Sequence, residues 1–266
     1  MSLYIGSQKV SLSILRETTG VLREVSAQGV YQIPTGSFTF SVPSNVTNIG
    51  DYALYYAFRY GSSLTSVDLS SLTTISGTYA LAYAFDNCTS LTSVNLSSLS
   101  TISGTYALSY TFRGCKSLTS VDLSSITTAS SSQAMSYIFT GCSNLVSVNF
   151  SGLTTISGGY ALYYAFQGCS SLTSVDLSSL ATVSGSSAFS YAFTRCTSLT
   201  SLSFPALTST SFGSNTSQFN NMLSGVTGCT VHFPSNLQSV IGSWSSVTGG
   251  FGGTNTTVLF DLPETT

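Results

Sequence analysis

The chain has 266 residues, of which Lys, Arg, Asp and Glu make up only 6%, and its formal net charge is −2. Serine and threonine fill the gap at about a third of the chain, where an ordinary soluble domain carries about 25% charged residues. With 42% hydrophobic and 12% aromatic residues and seven basic ones, charge-driven disorder and an electrostatic nucleic-acid footprint are both excluded.

The amino terminus, Met1-Ser2-Leu3-Tyr4-Ile5-Gly6, has no basic start leading into an apolar core, so no secretory leader is visible. Residues 1–36 concentrate charge (Lys9, Arg16, Glu17, Arg23, Glu24), and their alternation of apolar and polar residues predicts a hairpin. This segment is expected to cap the residues after 36. No apolar run approaches the length of a transmembrane helix, so no membrane span is expected.

From residue 37 the chain repeats. Phe58, Phe85, Phe112, Phe139, Phe166 and Phe193 recur every 27 residues, as do Ala53, Ala80, Ala107, Ala134, Ala161 and Ala188. Residues 59–85, 86–112, 113–139, 140–166 and 167–193 are full copies, within a solenoid spanning 37–207 whose first and last copies are irregular. In one copy, Val67 and Leu69 alternate with Ser66, Asp68 and Ser70, the pattern of a half-buried strand. Leu64, Leu72 and Ile75 are expected to point inward at bends, and Gly77 to reverse the chain. Tyr79-Ala80-Leu81-Ala82-Tyr83-Ala84-Phe85 fits one or two helical turns, with Ala80, Leu81, Ala84 and Phe85 inward and Tyr79 and Ala82 on the opposite face.

The fold expected is therefore an α/β repeat solenoid: a parallel sheet on one face, short helices on the other, and irregular caps at both ends. Residues 208–266 break the period and form the second cap, with Val231–Pro234 and Thr257–Phe260 as candidate strands and a glycine-rich loop at 249–253.

The repeat unit Cys-x-x-Leu-x-x-Val-x-Leu-x-x-Leu-x-x-Ile followed by Ala-Phe resembles the leucine-rich repeats of BspA-like bacterial proteins. So does the irregular first copy, Val42-Pro43-Ser44-Asn45-Val46-Thr47-Asn48-Ile49-Gly50-Asp51-Tyr52-Ala53. The resemblance covers roughly residues 38–207 and implies a leucine-rich-repeat solenoid with a surface-associated adhesion or recognition role. It brings no catalytic residues. A protein or glycan partner is expected outside a bacterial cell; the rival reading is a rigid spacer or phage tail-associated element with no ligand on the solenoid.

Several columns carry chemistry. Cys88, Cys115, Cys142, Cys169 and Cys196 stand 27 apart. Small buried thiols fit this column better than disulfides, since in-register side chains point the same way, or a metal site, which wants close Cys or His pairs. Asp68, Asn95, Asp122, Asn149 and Asp176 alternate along the outer strand face. A structural ladder that separates like charges is favoured over a cation stripe. Neither a metal nor a cofactor is expected.

Apart from those aspartates, every charge between residues 53 and 207 lies in one turn: Arg59, Asp86, Arg113, Lys116 and Arg195, with Tyr60 and Asn87 beside them. That edge is a candidate for partner discrimination, against a simple solubility role. Tyr56, Tyr83, Tyr110, Tyr137, Tyr164 and Tyr191 form the other candidate. They give either an aromatic platform for a ligand or rings that stack on one another between rungs. Catalysis finds no support: there is no Gly-x-Ser-x-Gly, no phosphate-binding loop, and a single histidine, His232.

Overall fold

The computed structural model describes residues 3–5, 8–10, 16–18, 21–23, 37–208, 217–241 and 251–264. The alternating strand segment pairs as expected. Leu64–Asp68 lies parallel to Ser93–Asn95, and Ser120–Asp122, Ser147–Asn149 and Ser174–Asp176 pair in parallel, residue for residue at the repeat spacing. A second parallel sheet forms from two-residue strands further along each rung: Asn48–Ile49, Thr74–Ile75, Thr101–Ile102, Thr128–Ala129, Thr155–Ile156 and Thr182–Val183. The result is a parallel β-solenoid.

The helical wall is absent. Among the described residues the only α-helix is Gln238–Ile241, far from the repeats in sequence. The Tyr-Ala-Leu-x-Tyr-Ala-Phe segment instead forms a ribbon of turns stacked on its neighbours. The backbone N–H groups of Ala80, Ala82 and Ala84 each close a turn onto the carbonyl three residues back. Those of Tyr79, Leu81, Tyr83 and Phe85 cross to the next rung, onto the carbonyls of Thr105, Ala107, Ser109 and Thr111 at 2.9–3.0 Å. Every backbone donor of this segment is thereby satisfied without a helix.

This arrangement needs a left-handed residue at every fourth position. Tyr79, Tyr83 and Asn87 have φ of 54°, 57° and 59°, and Tyr106, Tyr110 and Gly114 follow with 56°, 58° and 69°. A bulky residue at positive φ costs on the order of 1–2 kcal/mol. The cross-rung hydrogen bonds and the stacking of tyrosine rings between rungs offset that cost.

A four-residue ribbon and a 3.6-residue helix bury nearly the same positions over two turns. Ala80, Leu81, Ala84 and Phe85 are fully buried, as the helical projection expects. Ala82 is buried as well, against that projection, because the ribbon packs flat between tyrosine columns. Gly77 does sit at a bend where the chain turns into the ribbon, with a φ that is not positive, and its missing side chain also lets the rung lie close against Gly50 of the preceding one. Leu64, Leu72 and Ile75 do point inward, and the Phe58-to-Phe193 column runs through the core with ring centroids 5.1–5.8 Å apart.

At the start, Leu3–Ile5 and Gln8–Val10 form an antiparallel hairpin, and Ile5 pairs with Phe40 of the first sheet. Arg16–Thr18 and Val21–Arg23 form a second hairpin, which joins the other sheet beside Asn48–Ile49. Toward the other end, Thr230–Pro234 and Thr257–Leu262 are strands that continue the parallel stacking from Ser201–Ser203. The segment after 207 thus adds further rungs. The period is lost in the sequence because Ser201 pairs with Thr230, a longer step than the rungs before it. Gly249 and Gly250 of the glycine-rich loop lie outside the described residues.

Candidate recognition edge

The turn ribbon ends in the Phe-x-x-Cys turn, and each rung therefore delivers the residue after its Phe to one edge of the solenoid. There the charged residues of adjacent rungs meet. Arg59 Nε donates to Asp86 Oδ2 at 2.8 Å. From the other side, Arg113 Nε donates to Asp86 Oδ1 at 2.8 Å and its Nη2 to Oδ2 at 2.7 Å. Asn87 Nδ2 donates to Asp86 Oδ1 at 2.7 Å. The Asp86 side chain is 0% exposed, whereas Arg59 and Arg113 keep 32% and 30% of theirs in solvent.

One buried carboxylate thus holds two outward-facing guanidinium groups, and the cluster keeps a net positive charge. Tyrosine rings line it: the Arg59 guanidinium lies 4.9 Å from the Tyr56 ring centre and 4.6 Å from that of Tyr60. Arg113 lies 5.5 Å from Tyr83 and 5.2 Å from Tyr110. Such cation–π contacts favour a fixed guanidinium orientation.

Replacing Asp86 with Asn would leave two arginines facing each other with no counter-charge. Stability is expected to fall by about 3 kcal/mol, the low end for breaking a buried pair because the arginines are partly solvated. Thermal unfolding checks this; a shift within error would mean that Asp86 does not organise the edge.

Of the other edge residues, Lys116 is exposed in the rung of Arg113, while Arg195 stands in a later rung and does not join the cluster. Tyr60, Asn87 and Arg195 occupy a left-handed column, with φ of 64°, 59° and 59°, that the intervening rungs fill with Gly114, Gly141 and Gly168. Sequence reasoning misses the burial of Asp86. The available signal is an acidic residue with an arginine one repeat away on either side.

The tyrosine column is a stack. Consecutive rings from Tyr56 through Tyr83, Tyr110, Tyr137 and Tyr164 to Tyr191 lie 4.8, 4.4, 4.3, 5.2 and 4.7 Å apart, at interplanar angles of 26° or less. Their faces are turned to one another and each residue is half-buried; the Tyr191 hydroxyl accepts from Asn221 Nδ2 at 3.0 Å. Beneath them Ser109 and Ser136 are buried, their hydroxyl oxygens 2.6 Å apart.

All six cysteines are free and buried. Each thiol of the column donates to a phenylalanine carbonyl of the preceding rung, Cys88 to Phe58, Cys115 to Phe85, Cys142 to Phe112, Cys169 to Phe139 and Cys196 to Phe166, at 3.0–3.3 Å. Burial pushes the Cys88, Cys142 and Cys196 thiols up to about 12. These are protonated donors, not nucleophiles. Among the described residues no cluster of His, Cys, Asp or Glu has the makings of a metal site.

Asp68, Asn95, Asp122, Asn149 and Asp176 each accept the backbone N–H of the serine two residues on, at 2.9–3.2 Å. These bonds lie within a rung, not across rungs. His232 pairs through Nδ1 with Asp261 at 2.9 Å. No helix among the described residues is long and apolar enough to cross a membrane.

The chain matches the family model described as a BspA type leucine rich repeat region, in six copies, over residues 24–162, 55–191 and 135–243. No curated protein sequence matches it. Among solved structures it is similar to the pneumococcal vaccine antigen PcpA, at 14% identity and a TM-score of 0.33, over 89% of this chain and 44% of that one. The chain thus spans less than half the length of that antigen. It is also similar to a leucine-rich repeat protein from Bacteroides ovatus, at 16% identity and a TM-score of 0.28, over 97% of this chain and 98% of that one. An internalin from Listeria monocytogenes aligns at 12% identity and a TM-score of 0.25, over 84% of this chain and 67% of that one.

Proposed function

Because the chain belongs to the BspA-type leucine-rich repeat family, we propose that it is a non-enzymatic binding module. It is displayed outside a bacterial cell and recognises a host protein or glycan through the edge built around Arg59, Asp86 and Arg113. One observation carries this reading. The rungs are nearly identical in their core and on both sheets, yet the left-handed position at this edge changes from Gly114, Gly141 and Gly168 to the exposed Tyr60 and Arg195. Each such replacement costs on the order of 1 kcal/mol of backbone strain. A side chain kept against that cost, with Tyr60 at 60% exposure, is better explained by contact with a partner than by solubility.

The cluster's net positive charge, with Lys116 nearby, favours a partner surface bearing carboxylate or sulfate groups. Tyr60, Arg59 and Arg113 supply the aromatic and guanidinium anchors typical of binding hot spots.

Tyr60→Gly and Arg195→Gly are expected to raise stability slightly, by up to about 1 kcal/mol each, by removing left-handed strain. Tyr60→Gly and Lys116→Glu are expected to weaken retention on host-matrix proteins or arrayed glycans by about tenfold or more. Binding undiminished in both variants would refute the edge. No retention of the unaltered chain on any surface would favour the spacer reading.

A further inference from the structure

A second feature lies on the sheet, independent of the edge. A groove of about 390 Å³ runs over the strands Ser120–Asp122, Ser147–Asn149 and Ser174–Asp176. Val121, Val148 and Val175 contribute to its lining. Two polar rows complete it: Ser120, Ser147 and Ser174, and Asp122, Asn149 and Asp176. The rows are in strict register, with Ser120 opposite Ser147 and Ser147 opposite Ser174, and Asp122, Asn149 and Asp176 matched in the same way.

The second row is chemically alternating, so the groove repeats every two rungs, an advance of about 9.6 Å. Each side chain in it is held by the serine N–H two residues on, at 3.0 Å for Asp122, 2.9 Å for Asn149 and 2.9 Å for Asp176. That bond uses one oxygen and fixes the group. The second carboxylate oxygen of Asp122 and of Asp176 has no hydrogen-bond partner among the described residues and is free to accept.

A β-1,4-linked sugar chain in its extended form advances by nearly the same length per disaccharide. It presents the same hydroxyl edge at every second ring, because successive rings are turned over. We infer that the groove binds an extended β-1,4-linked glycan of neutral or amine-bearing sugars, lying along the solenoid axis in register with Asp122, Asn149 and Asp176.

The carboxylates accept from sugar hydroxyl or ammonium groups as charge-assisted bonds, the amide of Asn149 meets the alternate ring, and the serine row supplies hydroxyl groups that donate or accept. Acidic sugars are repelled by the same carboxylates. The groove has no aromatic ring in its lining, so each disaccharide contributes modestly and affinity depends on length.

The test is calorimetric titration of the intact chain with β-1,4-linked glucosamine oligomers of two, four and six sugars, their N-acetylated forms, and hyaluronan oligosaccharides as the acidic control. The tetrasaccharide is expected to bind about tenfold more tightly than the disaccharide, and the hyaluronan series not at all. The double variant D122N/D176N is expected to lose about tenfold in affinity for the amine-bearing oligomers, along with its salt dependence. Its melting temperature should be unchanged, because Asn95 and Asn149 already make the same bond to Ser97 and Ser151.

Wild-type affinity in D122N/D176N, equal binding of the acidic series, or no binding of any oligomer overturns the inference. Tyr60→Gly and Lys116→Glu should leave these titrations unaltered, so failure at the groove and failure at the edge are read separately.

Discussion

Raising the pH above about 9 is expected to unfold the solenoid well before ordinary alkaline denaturation. In the unfolded chain the thiols ionise near their ordinary value of 9.0, whereas burial holds Cys88, Cys142 and Cys196 up to about 12 and Cys229 up to about 11. Cys115 and Cys169 are raised well above the ordinary value by the same burial and by their neighbouring thiols. The folded state therefore keeps protons that the unfolded state has lost, and stability declines as pH rises through this window. It is fully present below pH 9.

Each buried thiol withdraws about 1.4 kcal/mol per pH unit above its unfolded value. Six acting together exceed a typical total stability of about 5–15 kcal/mol within one to two units. Above pH 10 the tyrosines add to the effect: burial pushes Tyr83 up to about 12 and raises Tyr110 and Tyr137 in the same direction. Cooperative loss of far-UV dichroism is expected between about pH 10 and 11. A signal unchanged to pH 11 would show that the thiols are not packed as described.

Gly104→Ala is expected to be strongly damaging for a single added methyl group. A Cβ at Gly104 would stand 2.0 Å from the Gly77 carbonyl oxygen, and one at Gly77 would stand 1.9 Å from the Gly50 carbonyl carbon. Gly158 and Gly185 meet the preceding rung at 2.0 and 2.1 Å. The obstacle is backbone, so no side chain can move aside. The rungs would have to part, stretching the bonds from Ser103 and Gly104 to the Ile75 carbonyl, now 3.0 and 3.2 Å. A loss of about 3 kcal/mol or more is expected, which lowers the melting temperature by about 6–12 °C. A shift below about 2 °C would contradict the close stacking of rungs. Ser131 interrupts this column, in a rung whose core residue is Ala129 where its neighbours carry Ile102 and Ile156.

The strand and core columns are legible in the sequence because stacking repeats the same side chain at the same place. A period of 27 in Phe, Leu and Val converts directly into parallel register. The turn ribbon is not legible. Over seven residues, burial at Ala80, Leu81, Ala84 and Phe85 satisfies a helix and the ribbon equally well, and side-chain periodicity does not say where a backbone N–H donates. One clue is present. Four residues after Tyr83, Tyr110, Tyr137 and Tyr164 stand Asn87, Gly114, Gly141 and Gly168, residue types that tolerate left-handed backbone, although Tyr60 and Arg195 hold the same place after Tyr56 and Tyr191. Carried back in steps of four, that preference falls on Tyr83 and Tyr79, where tyrosine gives no hint of positive φ.

The edge is legible as a concentration of charge, since Arg59, Asp86, Arg113 and Lys116 share one turn of the repeat. The depth of Asp86 is not. Its burial follows from two arginines closing over it from adjacent rungs, a relation that appears only when the repeats are stacked. The aromatic column likewise needs the stack: rings 4.3–5.2 Å apart occupy one another's faces.

Hydrogen bonds along the solenoid axis join the rungs through their turn ribbons, and the whole fold depends on them. Scalar coupling across hydrogen bonds, measured by NMR on isotope-labelled protein, reads this directly at Leu108. The Leu108 N–H is expected to couple to the carbonyl carbon of Ala134 on the next rung, to which it donates at 2.8 Å. Coupling to the carbonyl of Gly104, four residues back in the same rung, would mean a helix and would contradict the stacked ribbon in every repeat.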